Sequence, residues 1–289
     1  MFDQVEAFCR PSSVAEALRM LQRDKGRARI VAGGTDVVVA GGDGVRVLID
    51  ITRAGLSYIR SKAGAVAIGA TTTLAEIEQS ALLGKLAGGI IPRAAATCGS
   101  TTVRNMATLG GNLANASPAA DMAVALLALE ASAVVAEARG RRKLPLAEYL
   151  AGASAGRFSG SILVEVNFPA PPGGKRCGWS FQKLGRTALD ISLVSVAAGI
   201  ELDAKGRIKW ARIALGAVAP TAMRAEAAEQ LLVGRAPDVA AGAEAGAEVA
   251  RAVRPISDVR ASAGYRREMS SVLATRAFDE CIAAAGGSR

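Results

Sequence analysis

The chain has 289 residues, is 51% hydrophobic and 21% charged, and carries a formal net charge of +9 from 35 Lys and Arg against 26 Asp and Glu. This composition excludes a disordered chain, and the length fits one large domain or two domains of ordinary size. No histidine is present, which excludes Ser-His-Asp and Cys-His catalysis and histidine metal ligands.

The first part of the chain alternates helix and strand patterns. The segment "PSSVAEALRML" predicts a helix, because Ser13 and Glu16 fit a capping box and the apolar residues share one face. Strands are predicted at "ARIVA", "VRVLID" and "AVAIGA", and a second capping box begins a helix at Thr73. Ser117 as N-cap and Pro118 at the first helical position predict a buried helix over "AADMAVALLALEA". Two strands follow, "SAVVAEA" and "SILVEVNFP", with a basic turn between them.

A second domain is predicted after Pro169–Gly178, a segment rich in proline and glycine that is typical of a domain junction. Three strands are predicted at "GWSFQKL", "DISLVSVAAGIELD" and "GRIKWARIALGAVAP", with a hairpin turn at Asp203–Gly206. The pattern after Pro220 is helical to the end of the sequence. Strands followed by helices indicate an α+β domain.

The distribution of charge and cysteine narrows the function classes. Arginines are dispersed, aromatic residues are 4%, and the densest basic stretch, Arg139–Pro145, is short, so we predict no nucleic-acid binding and favour an acidic partner or a phosphorylated cofactor. The four cysteines are widely separated, so no metal site is predicted. No apolar run reaches the roughly 18 residues of a membrane span, and the first residues lack a secretory pattern. A cytoplasmic protein without a membrane span is therefore expected.

Two stretches combine glycine with polar neighbours: "IVAGGTDVVV" and "TVRNMATLGGNLANASPAADM". Glycine lets a backbone approach a ligand closely, and its N–H groups can bind a phosphate. Thr35 and Thr108 add hydroxyl groups, and Asn112 can both donate and accept. Asp121 either favours the positive end of a helix or accepts hydrogen bonds from ligand hydroxyls.

A single glycine pair is usually an ordinary turn, and neither common phosphate-loop fingerprint is present. The residues alone therefore indicate a two-domain protein that binds a phosphorylated or dinucleotide ligand by an unusual route.

The same stretches carry a family resemblance. "VAGGTD" and, further along, "VRNMATLGGNLANASPAAD" resemble the FAD-binding medium subunit of the molybdenum hydroxylases, which include xanthine dehydrogenase and carbon monoxide dehydrogenase. The resemblance continues in the same order through "FQKLGRTALDIS", "ALGAVAPTAMRAEAAEQLLVG" and "ISDVRASAGYRREMSSVLATRAF". It therefore covers nearly the whole chain.

The resemblance implies an α+β fold with two domains. Residues 1–172 would form an FAD-binding domain of the vanillyl-alcohol oxidase (PCMH) type, with two α/β subdomains of about 1–55 and 56–172. Residues 173–289 would form the small α+β domain of CO dehydrogenase flavoproteins, a three-stranded antiparallel sheet with helices.

The resemblance also implies noncovalent FAD, with its pyrophosphate held by the two glycine loops. The cofactor-binding residues carried over are Val31, Ala32, Gly33, Gly34, Thr35, Asp36 and Val37 from the first loop, Thr108, Leu109, Gly110, Gly111 and Asn112 from the second, then Asp121, Leu163 on the adenine side, and Lys183, for which Gln182 is the alternative register.

The function that follows is electron transfer. Electrons from a molybdopterin-binding large subunit would cross the clusters of an iron–sulfur small subunit, reach FAD in this chain, and leave to an external acceptor such as NAD, oxygen or a quinone. The resemblance implies a dimer of heterotrimers, with molybdopterin and iron–sulfur clusters only in the partner subunits and no catalytic residue in this chain. The alternatives are a self-sufficient FAD-dependent oxidase or reductase of the same fold, and a scaffold that has lost FAD.

Overall fold

The computed structural model describes residues 4–286, which divide into two compact units that are each discontinuous in sequence. The first unit ends at Ile77 and resumes over Ser100–Ala116 and Ala131–Pro169, and the second comprises Glu78–Gly99, Ser117–Glu130 and the chain from Ala170 onward.

The strands, in chain order, are β1 Ala7–Cys9, β2 Ala28–Val31, β3 Val47–Asp50, β4 Ile59–Lys62, β5 Ala65–Gly69, β6 Ser132–Glu137, β7 Gly140–Pro145, β8 Ile162–Pro169, β9 Cys177–Leu184, β10 Val194–Leu202, β11 Ile208–Gly216 and β12 Met223–Arg224. The helices are α1 Val14–Arg23, α2 Val37–Ala40, α3 Leu74–Glu78, α4 Ala81–Gly84, α5 Ile90–Ala96, α6 Thr101–Met106, α7 Leu109–Ala114, α8 Asp121–Ala128, α9 Leu146–Ser154, α10 Glu226–Leu232, α11 Val239–Ala252 and α12 Ala263–Ala284. A 3-10 turn, Ala87–Gly89, precedes α5.

The first unit contains two sheets that share a core. A parallel sheet has the strand order β1-β3-β2, and an antiparallel sheet has the order β4-β5-β8-β6-β7. Leu18 and Leu21 of α1 pack with Ile49 of β3 and with Ile162 and Val164 of β8 in one apolar cluster. The two α/β subdomains of the predicted FAD-binding domain are thus joined by continuous apolar packing.

Side-chain capping sets several helix starts in this unit. Thr73 Oγ1 accepts the Glu76 N–H at 3.2 Å, and the Glu76 carboxylate accepts the Thr73 N–H at 2.7 Å, so the predicted capping box is complete. Ser13 Oγ accepts the Glu16 N–H at 3.2 Å, but the Glu16 carboxylate accepts the Ser12 N–H at 2.8 Å in place of that of Ser13.

Strand β7 corrects the basic turn predicted before "LAEYLAG". The arginine-rich segment pairs antiparallel with β6 and forms an edge of the five-stranded sheet. Charged residues are common on edge strands because they oppose pairing with another chain. A run of charge therefore looked like a turn although it belongs to the sheet.

The second unit is built on a four-stranded antiparallel sheet of order β12-β11-β10-β9. The prediction had three strands, and the fourth, β12, has only two residues, Met223 and Arg224, which pair with β11. So short a strand leaves no alternating pattern in the sequence. Helices α10, α11 and α12 cover this sheet, with Phe278 and Ile282 of α12 in the core beside Val196 and Ile213.

The start of α8 also differs from the prediction. The helix begins at Asp121, with Ala120 as N-cap and no side-chain cap. Ser117 Oγ accepts the Ala119 N–H at 3.3 Å, and the Pro118 carbonyl accepts the Ala217 N–H at 2.7 Å. The bond to Ala217 uses the Pro118 carbonyl for a tertiary contact, so Ser117–Ala120 forms a turn ahead of the helix.

The fold class of the sequence prediction is confirmed, with the four-stranded sheet as its one correction. The domain boundary at residues 172 and 173 stays a prediction. None of the helices in residues 4–286 has both the length and the apolar character that crossing a bilayer requires.

A buried arginine fastens three segments of the second unit. Arg266 is 3% exposed, and its guanidinium donates to Leu193 O at 2.7 Å, Ala217 O at 3.3 Å and Asp258 Oδ1 at 2.8 Å. Asp258 also accepts the N–H groups of Arg260 and Ala261. The Arg260 N–H foremost, with further support from Arg266 and Ala261 that outweighs the opposing effect of burial, holds the pKa of Asp258 well below its ordinary value.

We expect this lowered pKa to make stability pH-dependent. The stabilisation by ionised Asp258 is full above its unfolded pKa, about 3.9, and is lost as the pH falls through the lower folded-state value. Asp258→Asn should therefore lower the urea midpoint at neutral pH, and its difference from wild type should shrink in acid. Urea unfolding over a pH series measures this, with Asp43→Asn in an exposed turn as the control; a difference that does not change with pH would refute it.

Candidate functional site

A cavity of about 420 Å³ lies in the first unit, a size within the range of small-molecule sites. Most of the predicted cofactor residues line it: Ala32, Gly33, Gly34, Thr35, Asp36, Val37, Thr108, Gly110, Gly111, Asn112 and Leu163. Val31 in β2 and Leu109, fully buried at the start of α7, lie behind the lining residues. The two glycine loops, far apart in sequence, therefore meet at one cavity.

The first glycine loop connects β2 to α2 and leaves its backbone donors free. Gly34 has a φ of +72°, a conformation that favours glycine. From Gly33 to Val37, no backbone N–H donates to an acceptor within the described part of the chain. Consecutive unpaired N–H groups in a turn form an anion-binding concavity.

The second glycine loop uses its backbone donors internally. Leu109 N donates to Thr72 O at 2.9 Å, and Gly110 N donates to Ala70 O at 2.8 Å. The next two N–H groups donate to Thr108, whose side chain caps α7. The loop therefore presents its glycine surfaces and side chains to the cavity, and its N–H groups from Leu109 to Asn112 are not free as the sequence suggested.

Asn112 brings an unsatisfied acceptor to the cavity. Its side-chain oxygen, Oδ1, is buried and has no hydrogen-bond partner among residues 4–286. An unpartnered buried polar atom is costly, and a ligand donor at this position would satisfy it.

Contacts between the loops fix the shape of the cavity. A Cβ on Gly33 would lie 1.7 Å from Met106 O, so only glycine allows the first loop to approach the end of α6 this closely. Asn115 Nδ2 donates to Asp36 Oδ1 at 3.1 Å and links the loops a second time.

An aromatic pair forms another part of the lining, and sequence reasoning did not find it. The rings of Tyr149 and Phe158 stack with centroids 4.9 Å apart, next to Leu163. Tyr149 is buried, which raises the pKa of its hydroxyl well above the ordinary value, and this hydroxyl has no hydrogen-bond partner among the described residues. The sequence signal was slight, a tyrosine in a predicted helix and a phenylalanine in a glycine-rich turn.

Asp121 and Lys183 are brought together in the second unit. Lys183 Nζ donates to Asp121 Oδ2 at 2.9 Å and to Thr97 O at 2.7 Å, and Ser192 Oγ donates to Asp121 Oδ1 at 2.6 Å. The side chains of Lys183 and Asp121 are 10% and 3% exposed. The alternative residue, Gln182, donates instead to Ser180 at 3.4 Å. This cluster is a buried ion pair with hydroxyl and carbonyl partners.

Family comparisons agree with this arrangement. Residues 2–171 match the model of the FAD binding domain in molybdopterin dehydrogenase, and residues 179–281 match that of the CO dehydrogenase flavoprotein C-terminal domain. The chain belongs to the FAD-binding subunits of the molybdopterin dehydrogenases. The family resemblance seen in the sequence is thereby confirmed, and the chain is a subunit of an oxidoreductase of this family.

Individual relatives match over nearly their whole length. The 6-hydroxypseudooxynicotine dehydrogenase complex subunit alpha of Paenarthrobacter nicotinovorans is 33% identical, over 97% of this chain and 94% of that protein. The carbon monoxide dehydrogenase medium chain of Afipia carboxidovorans is 32% identical, over 96% of each. Carbon monoxide dehydrogenase from Hydrogenophaga pseudoflava has a similar structure, with a TM-score of 0.90, 29% identity, and coverage of 98% of this chain and 99% of that one.

The buried ion pair of this FAD-binding subunit gives a stability prediction. Lys183→Met leaves the carboxylate of Asp121 buried without its cation, which should lower the free energy of unfolding by about 3–5 kcal/mol. The matched control is Lys209→Met, because Lys209 is exposed and its pair with Glu201 should contribute only about 0–1 kcal/mol. Urea unfolding of both variants checks this; equal losses would contradict a special role for the buried pair.

Proposed function

We propose that the cavity of the first unit binds FAD and that the chain is the electron-transfer subunit of a heterotrimeric molybdenum hydroxylase. The observation that carries the proposal is the run of unpaired N–H groups from Gly33 to Val37 at the cavity. Family membership names FAD, and this run supplies the donors that a dinucleotide needs.

The first loop is the proposed pyrophosphate site. Its free N–H groups would donate to the phosphate oxygens, with Thr35 as an additional hydroxyl donor. Because Gly33 packs on Met106 and Gly34 has a positive φ, the loop is already held in its open turn without a ligand. A preformed site of this kind loses little entropy on binding.

The second loop would contribute by shape and by one side chain. Gly111 is exposed at the cavity, where a Cβ would meet only Thr108 Oγ1, at 3.1 Å, within 4 Å. The missing side chain leaves room for the cofactor, and the Asn112 Oδ1 would accept one of its hydroxyl or amine donors. Leu163, Tyr149 and Phe158 would cover a flat ring. The roles of Asp121 and Lys183 toward FAD stay predictions of the resemblance.

Bound FAD supplies the redox chemistry, while the chain binds and orients it. We propose that this chain receives electrons from an iron–sulfur small subunit that is itself supplied by a molybdopterin-binding large subunit. It would pass them to an external acceptor such as NAD, oxygen or a quinone. The predicted dimer of heterotrimers, the cytoplasmic location and the domain boundary at residue 172 belong to this proposal. The name of the relative in Paenarthrobacter nicotinovorans, a subunit of a dehydrogenase complex, supports it.

Gly111→Val tests the site. The valine side chain would fill the space that we assign to the cofactor, so we expect stoichiometric FAD in the wild-type chain and none detectable in the variant. The visible absorption spectrum of the purified chains, with flavin released by heat and identified, measures this.

The matched control is Gly84→Val, because Gly84 is exposed at the end of α4 and a Cβ there meets no atom within 4 Å. This control should keep its FAD, and far-UV circular dichroism should show both variants folded. Normal flavin content in folded Gly111→Val would disprove the placement. A wild-type chain that retains FAD and oxidises a substrate by itself would instead favour a self-sufficient enzyme.

A further inference from the structure

Arg29 lines the cavity and has donors to spare. It lies in β2, ahead of the first glycine loop, and its side chain is partly buried. Its Nη1 donates to Gly41 O at 2.8 Å, and its remaining N–H groups have no acceptor among residues 4–286. A guanidinium has five N–H donors, so this bond leaves most of them available.

The charge of Arg29 is uncompensated within the cavity. Among the lining residues in the described chain, Arg29 is the single cation and Asp36 the single carboxylate. Asp36 is exposed and already accepts a hydrogen bond from Asn115, and Arg29 forms no ion pair in that part of the chain. A partly buried cation without an acid is stabilised by an anionic ligand.

The hydrogen bond to Gly41 holds the guanidinium across the glycine loop. Arg29 precedes the loop and Gly41 follows α2, where the Gly41 N–H donates to Val37 O at 3.1 Å. The arginine therefore spans the segment whose N–H groups are free. A purely structural explanation is that Arg29 neutralises the carbonyl end of α2, and the experiment below separates the two roles.

We propose that Arg29 contacts the diphosphate of the dinucleotide bound in this cavity, and that its charge makes affinity depend on the phosphates. The inference rests on the proposed FAD site. Backbone N–H groups contribute partial charges only, whereas arginine adds a full charge and bidentate donors suited to phosphate oxygens.

The test compares Arg29→Gln and Arg29→Lys in the full-length chain after flavin removal. Glutamine can still donate to Gly41 O but has no charge, and lysine keeps the charge without the planar fork. The dissociation constants of FAD and ADP should rise about tenfold or more in Arg29→Gln and recover in part in Arg29→Lys. Arg27→Gln is the matched control, because Arg27 is exposed just before β2 and does not line the cavity.

Salt dependence separates a contact with phosphate from structural support. If Arg29 meets the diphosphate, the slope of log Kd against log salt concentration should be smaller in Arg29→Gln than in wild type and in Arg27→Gln. An unchanged Kd in Arg29→Gln would overturn the inference, and so would a raised Kd with an unchanged slope and no recovery in Arg29→Lys. A folded wild-type chain that binds neither FAD nor ADP would contradict the proposed function itself.

Discussion

The contact between Gly33 and Met106 is the constraint on which the cavity depends. Any side chain at residue 33 would collide with backbone, since even a Cβ would lie 1.7 Å from the Met106 oxygen. This close approach brings the turn after a parallel strand against the helix that leads into the second glycine loop. The cavity between the loops is therefore a consequence of backbone packing, and its walls exist before a ligand arrives.

The two glycine loops look alike in sequence but differ in chemistry. The first keeps its N–H groups unpaired, which suits an anion, whereas the second gives its N–H groups to the Ala70 and Thr72 carbonyls and to Thr108. Glycine in the first loop makes an open turn, and Gly110 in the second allows α7 to pack on Ala70, where a Cβ would lie 2.7 Å away. Equal composition thus serves ligand binding at one loop and helix packing at the other.

Charge is distributed differently in the two units. In the first, Arg29 brings a cation without an acid partner to a cavity. In the second, the buried Lys183–Asp121 pair has its partners inside the protein, and Arg266 is fastened to two carbonyls and to Asp258. Unpaired charge indicates a place where something binds, and paired buried charge indicates a place where the fold is held. A chain without histidine that binds FAD leaves the redox chemistry to the cofactor.

The sequence by itself determined the family, the α+β class, most strands and helices, and the glycine loops, because these depend on local periodicity, caps and motifs read along the chain. Tertiary structure decided which N–H groups are free, because the acceptors for the second loop come from the segment after β5. It also placed Arg29, Tyr149 and Phe158 at the cavity and paired Asp121 with Lys183. Strand β12 and the start of α8 escaped prediction for the same reason: a partner distant in sequence, not a local preference, sets each of them.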